Sequence, residues 1–176
     1  APRLPARRRV AVSVEPANAE LTAMRDAGFE YFQVHHRLEI SEAQLADWSR
    51  IVGRDRLWLA PKLPPGQDVP AAVLAAAKFI LFDTYHVGGF GGSGRAGDWD
   101  GFVRHRLAHP KNVWILAGGL NPENIGEALK ASGARFVDVN SGVESAPGVK
   151  DEAKLKRFVV ALHQAATESK SGGGKV

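Results

Sequence analysis

The chain contains no cysteine, a single methionine and two tyrosines in 176 residues. Without cysteine these residues can form no disulfide, no cysteine-ligated zinc site and no iron–sulfur cluster, and they offer no thiol nucleophile. Long apolar runs are missing too. None approaches the roughly 20 residues that a membrane-spanning helix needs, so no membrane partner is expected. The basic start, Arg7-Arg8-Arg9, is not followed by the apolar stretch of a signal peptide, and the expectation is a cytoplasmic location. Charge of one sign is not gathered in one place either. The net charge is +4, but Lys and Arg are otherwise mixed with Asp and Glu. No basic face with interleaved aromatics is evident, so no nucleic-acid partner is expected. His36, His86, His105, His109 and His163 show no metal-ligand spacing, and no metal is expected. The chain opens on Ala1 and its only methionine is Met24, so residue 1 is not read as a natural translation start.

What is present is a core-forming composition, 44% apolar with 24% charged residues, which excludes wholesale disorder. Short apolar runs alternate with amphipathic segments throughout. The expected strands are Val10–Val14, Tyr31–His35, Leu57–Pro61, Phe79–Asp83, Val113–Ala117 and Phe136–Asn140. Runs such as Phe79-Ile80-Leu81-Phe82 are apolar at every position, as strands of a parallel sheet covered on both faces must be. Helical patterns fill the gaps at Ala17–Ala27, Glu42–Ile51, Ala71–Ala77 and Trp99–Leu107. A further helix is opened by Asn121-Pro122 and stopped by Gly133, and a last one carries Leu155, Phe158, Val159 and Leu162 on one face. Six βα units in succession give an α/β fold with a parallel sheet, doubly wound or a barrel. One domain is expected over residues 1–167, with a polar Gly/Ser-rich tail over 168–176.

Function in such folds gathers at the C-terminal ends of the strands. Asp83 ends the fourth strand. Apolar walls around it would raise its pKa and suit it to proton donation, although a helix cap or loop anchor needs the same residue type. The glycine-rich run Gly88–Gly97 follows; its glycines, Gly92 and Gly94 among them, allow close backbone approach to a ligand, or simply form a pliant loop. Gly118-Gly119 ends the fifth strand and leads into Asn121, and Asn140-Ser141-Gly142 ends the sixth. Small residues in two consecutive loops match the phosphate site of many (β/α)₈ barrels, beside the plainer reading as tight turns. Asp138 lies in an apolar strand and needs a partner or ligand if buried. His35 ends the second strand and is either structural or a ligand contact.

These segments resemble those of the phosphoribosylanthranilate isomerase family of tryptophan biosynthesis. The likeness rests on Phe82-Asp83-Thr84, on Gly91-Gly92-Ser93-Gly94-Arg95 with Asp98-Trp99, and on Leu116 through Asn124. It continues in Val137-Asp138-Val139-Asn140-Ser141-Gly142-Val143-Glu144 and in Pro147 through Asp151, with a weaker match at Tyr31–His35. The resemblance implies a (β/α)₈ TIM-barrel of which six of the eight βα units are present here. It implies a cofactor-free Amadori rearrangement of N-(5-phosphoribosyl)anthranilate to 1-(2-carboxyphenylamino)-1-deoxyribulose 5-phosphate. Asp83 would be the general acid and Asp138 would contact the reacting region. Gly118, Gly119, Asn121, Ser141 and Gly142 would bind the phosphate, with His35, Gly92 and Gly94 contacting substrate. The family's general base is a cysteine on its first strand, and neither that segment nor the second βα unit is found here. The resemblance therefore implies a chain that is inactive alone and that self-associates or accepts a complementing N-terminal fragment. A non-catalytic phospho-ligand-binding or assembly module on the same scaffold is the alternative; another phosphosugar isomerase of barrel type fits the Asp83–Trp99 pattern less well. The ending Lys175-Val176 matches how the family's first strand begins, as a permuted or truncated chain would, and as a chance tail would.

Overall fold

The computed structural model describes residues 4–64, 66–83 and 97–171. It contains β1 (Val10–Val14), α1 (Asn18–Asp26), β2 (Tyr31–His36), α2 (Glu42–Val52), β3 (Leu57–Pro61) and α3 (Ala71–Ala76). These are followed by β4 (Phe79–Asp83), α4 (Trp99–Ala108), β5 (Val113–Ala117), α5 (Ile125–Ser132), β6 (Phe136–Val137), the short hairpin β7 (Glu144–Ala146) and β8 (Val149–Lys150), and α6 (Glu152–Ser171). The βα alternation read from the sequence is therefore the architecture. No described helix is long and apolar enough to cross a membrane. The chain forms two compact units: residues 1–83 with 105–114, and residues 84–104 with 115–176.

In the first unit β1, β2, β3 and β4 pair in parallel in chain order. Val113, opening β5, donates to the carbonyl of Lys78 just before β4 at 2.8 Å. The registers put Ala11, Phe32, Val34, Leu57, Leu59 and Ile80 on one face, all buried. Leu21 of α1, Leu45, Trp48 and Val52 of α2, and Val73 of α3 supply the buried helix side of this unit. Each large side chain so buried contributes about 1.5–3 kcal/mol. Trp48 also donates its indole N–H to the Pro16 carbonyl at 2.9 Å, tying α2 to the loop after β1. The opposite face carries Tyr31, Trp58 and Phe79, one from each of three strands, with ring centroids 5.4–6.4 Å apart. Val12 and Val14 share that face by register yet are 61% and 75% exposed. An apolar alternation that faces inward in a barrel thus lies open on the edge strand.

In the second unit β5 and β6 pair in parallel through Ile115 with Phe136 and Leu116 with Val137. The expected strand Phe136–Asn140 is cut to two residues. Asp138 still donates its N–H to the Leu116 carbonyl at 2.8 Å, but the chain then leaves the ladder for a 3₁₀ turn over Ser141–Val143. The helix expected to open at Asn121-Pro122 begins instead at Ile125, after a turn over 122–124. Gly133 ends it as expected, in the left-handed region at φ 60°.

Candidate active site

The strongest part of the site lies in the second unit, where two loops meet. After β5 the chain turns through Gly118 and Gly119 at φ 90° and 63°, values that favour glycine. Asn121 and Asn124 then bracket one another. The Asn121 side-chain oxygen accepts from the N–H groups of Glu123 (2.9 Å) and Asn124 (3.0 Å), while the Asn124 side-chain oxygen accepts from the Asn121 N–H (2.9 Å). Both side-chain amides donate to the Gly119 carbonyl. These bonds close a turn ahead of α5 rather than cap it, since the helix's N-cap is Asn124 and makes no side-chain cap bond. They occupy the N–H groups of Asn121, Glu123 and Asn124 inside the turn.

The loop after β6 packs against this turn. A Cβ placed on Gly142 would stand 1.9 Å from the Leu120 carbonyl oxygen. Glycine is needed there for space. Gly118, Gly119, Asn121, Ser141 and Gly142 are thus brought together on two touching backbone turns. Asp138, half-buried, precedes the second turn. Such turns offer backbone N–H groups to an anion without the desolvation that burying a lysine would cost.

In the first unit, Asp83 ends β4 and is exposed, so the apolar enclosure on which its role as proton donor leaned is not formed by the described residues. His35 is half-buried at the end of β2, its Nε2 3.0 Å from the Gln33 amide nitrogen on the same strand face. Gly92 and Gly94 lie outside the described residues. Among the described residues no group of three His, Asp or Glu is placed to hold a metal ion.

Sequence reasoning missed one feature at these strand ends. Glu15, just past β1 and at φ 43°, accepts from the backbone N–H of Arg37 and from its guanidinium at 2.8–2.9 Å. The Arg37 hydrogen bonds hold the Glu15 carboxyl at about 2, below its ordinary 4.5. The in-register pairing of Val14 with His35 could have revealed it, since it brings the residues following both strands together. His36 is 3% exposed and donates its Nδ1–H to the Arg37 carbonyl oxygen, 2.8 Å away. Burial pushes its imidazole below the usual histidine range.

Comparison with known proteins agrees with the motifs. A family model described as N-(5'phosphoribosyl)anthranilate (PRA) isomerase matches residues 3–161. The N-(5'-phosphoribosyl)anthranilate isomerase of Pseudomonas putida KT2440 is 45% identical over 116 residues, 64% of this chain and 54% of its own length. The chain thus spans about half the length of the curated relatives it matches. The phosphoribosyl anthranilate isomerase structure from Thermotoga maritima superposes with a TM-score of 0.69 at 28% identity, covering 88% of this chain and 72% of that one. A further structure of the enzyme holds reduced 1-(o-carboxyphenylamino)-1-deoxyribulose 5-phosphate. It superposes with a TM-score of 0.66 at 26% identity, over 88% of this chain and 71% of that one. With the parallel βα architecture of these barrel-type neighbours and a family match over most of its residues, the chain belongs to the N-(5'-phosphoribosyl)anthranilate isomerase family.

Proposed function

We propose that these residues supply the acid and the phosphate cradle of a phosphoribosylanthranilate isomerase. The observation that carries this is the contact of the Gly118-Gly119 and Ser141-Gly142 turns in a member of that family. In the reaction, Asp83 gives a proton to the furanose ring oxygen as the C1–O bond breaks, leaving a Schiff base at C1. A base then removes the C2 proton, and the resulting enolamine tautomerises to the ketone. Asp138 contacts the reacting region, His35 the substrate, and the backbone of Gly118, Gly119, Ser141 and Gly142 the phosphate. Asn121 serves by holding the first turn in shape.

The base is a cysteine in the family, and these 176 residues contain none. We therefore infer that the chain is inactive alone and accepts a polypeptide bearing two further βα units, whose strands continue the sheet beyond β1 and cover Val12 and Val14. Loss of anthranilate-substrate fluorescence tests this. The chain alone is expected to show no turnover, and addition of the family's first two βα units is expected to restore it. Restored activity should fall by at least about 100-fold in Asp83→Asn. Turnover by the chain alone would show that the cysteine is dispensable. Phosphate binding without restored turnover would favour the non-catalytic module.

A further inference from the structure

The hairpin β7–β8 is not accounted for by the acid or by the two turns of the phosphate cradle. It is built locally: Pro147-Gly148 makes the reversal with Gly148 at φ 78°, and Glu144 pairs with Lys150 across it. Its free end is tied down. Asp151 donates its N–H to the Val143 carbonyl at 2.9 Å, and Lys154 donates its ammonium to the Glu144 carbonyl at 2.6 Å. Within this frame the Lys150 ammonium reaches back ten residues along the chain. It donates to the Asn140 carbonyl oxygen at 2.9 Å, to the Asn140 side-chain oxygen, and to a Glu144 carboxylate oxygen at 2.7 Å. Asn140 is the residue from which the Ser141–Val143 turn departs. One cation therefore grips both oxygens of the residue that precedes the Ser141–Val143 turn. Glu144 accepts from the Gly148 N–H at 3.2 Å as well, which ties its carboxylate to the hairpin turn.

We propose that Lys150 is a positioning residue for the phosphate site, fixing the Ser141-Gly142 turn through its hold on Asn140. The inference rests on the reading of that turn as part of a phosphate cradle. The grip is charge-assisted and bidentate on Asn140, which makes it stronger than a neutral contact. It orients donors before the ligand arrives, so the effect is on affinity.

The test is a double-mutant cycle on the intact chain, with ribose 5-phosphate and inorganic phosphate as probes in titration calorimetry. Lys150→Met and Asn140→Ala are each expected to weaken ribose 5-phosphate about tenfold, and the double variant no more than the weaker single one. Hydrogen exchange at the Ser141 and Gly142 amides should quicken in Lys150→Met. Glu144→Gln removes the ion pair but leaves Lys150 on Asn140, and is expected to keep the affinity within about twofold. Additive losses would mean that Lys150 attracts the ligand by its own charge, and would overturn the proposal. So would unchanged affinity in Lys150→Met, or an equal loss in Glu144→Gln. Failure of the wild-type chain to bind either probe would instead sink the phosphate reading itself.

Discussion

Gly142→Ala separates a glycine kept for space from one kept for conformation. The added Cβ would stand 1.9 Å from the Leu120 oxygen, 2.9 Å from its carbonyl carbon and 3.0 Å from the Asn121 Cβ. Ordinary contact lies near about 3.5 Å, so one turn must retreat by roughly 1.5 Å. The obstruction is mainly backbone, which cannot swing aside as a side-chain end can. Forced repacking of this kind costs about 1–3 kcal/mol. With a urea m-value of about 2 kcal/mol/M, a loss of about 2 kcal/mol lowers the unfolding midpoint by about 1 M. Because the two turns carry the phosphate N–H groups in our reading, affinity for ribose 5-phosphate should also fall, by about tenfold or more. Gly126→Ala is the matched control. Gly126 sits in α5 with nothing within 4 Å of an added Cβ. That change should raise stability by about 0.5–1 kcal/mol and leave binding alone. Tryptophan fluorescence in urea and calorimetric titration report both quantities. A Gly142→Ala variant with the wild-type midpoint would refute the steric argument, whatever its affinity.

Three further outcomes follow from the first unit. Glu15 has a folded pKa of about 2 against an ordinary 4.5, so its contribution to stability is complete above pH 4.5 and is lost as pH falls towards 2. Thermal melts should show that slope in wild type and lack it in Glu15→Gln; parallel curves would contradict the assignment. His36 is held below its ordinary 6.5, so the folded state resists protonation and stability should decline as pH drops below 6.5. His36→Leu should abolish that decline, as measured by urea midpoints between pH 5 and pH 8. Trp48→Phe deletes the bond to the buried Pro16 carbonyl and should cost about 1–3 kcal/mol by chemical denaturation, with activity of the complemented enzyme little changed.

Much of this was legible before any fold was seen because the signals are local. Unbroken apolar runs of strand length and Gly133 behind α5 each act within a few residues. The small-residue pairs at Gly118-Gly119 and Ser141-Gly142 likewise announce close backbone approach from composition alone. The short β6 was not legible. Phe136 through Asn140 reads as a strand, but Gly142 must lie against the Leu120 carbonyl, and the chain leaves the ladder to bring it there. Asn121 was read as a cap and a phosphate contact together. The reciprocal bonds with Asn124 depend on how tightly the turn closes, which spacing does not reveal.

The sequence by itself determined the order of βα units and the family, because periodicity and motif are properties of neighbouring residues. Only the tertiary structure decided which face of β1 Val12 and Val14 occupy, that Glu15 meets Arg37, and that Lys150 grips Asn140. Those facts depend on strand register and hairpin pairing, and a slip of one residue in either would send the same side chains to the other face.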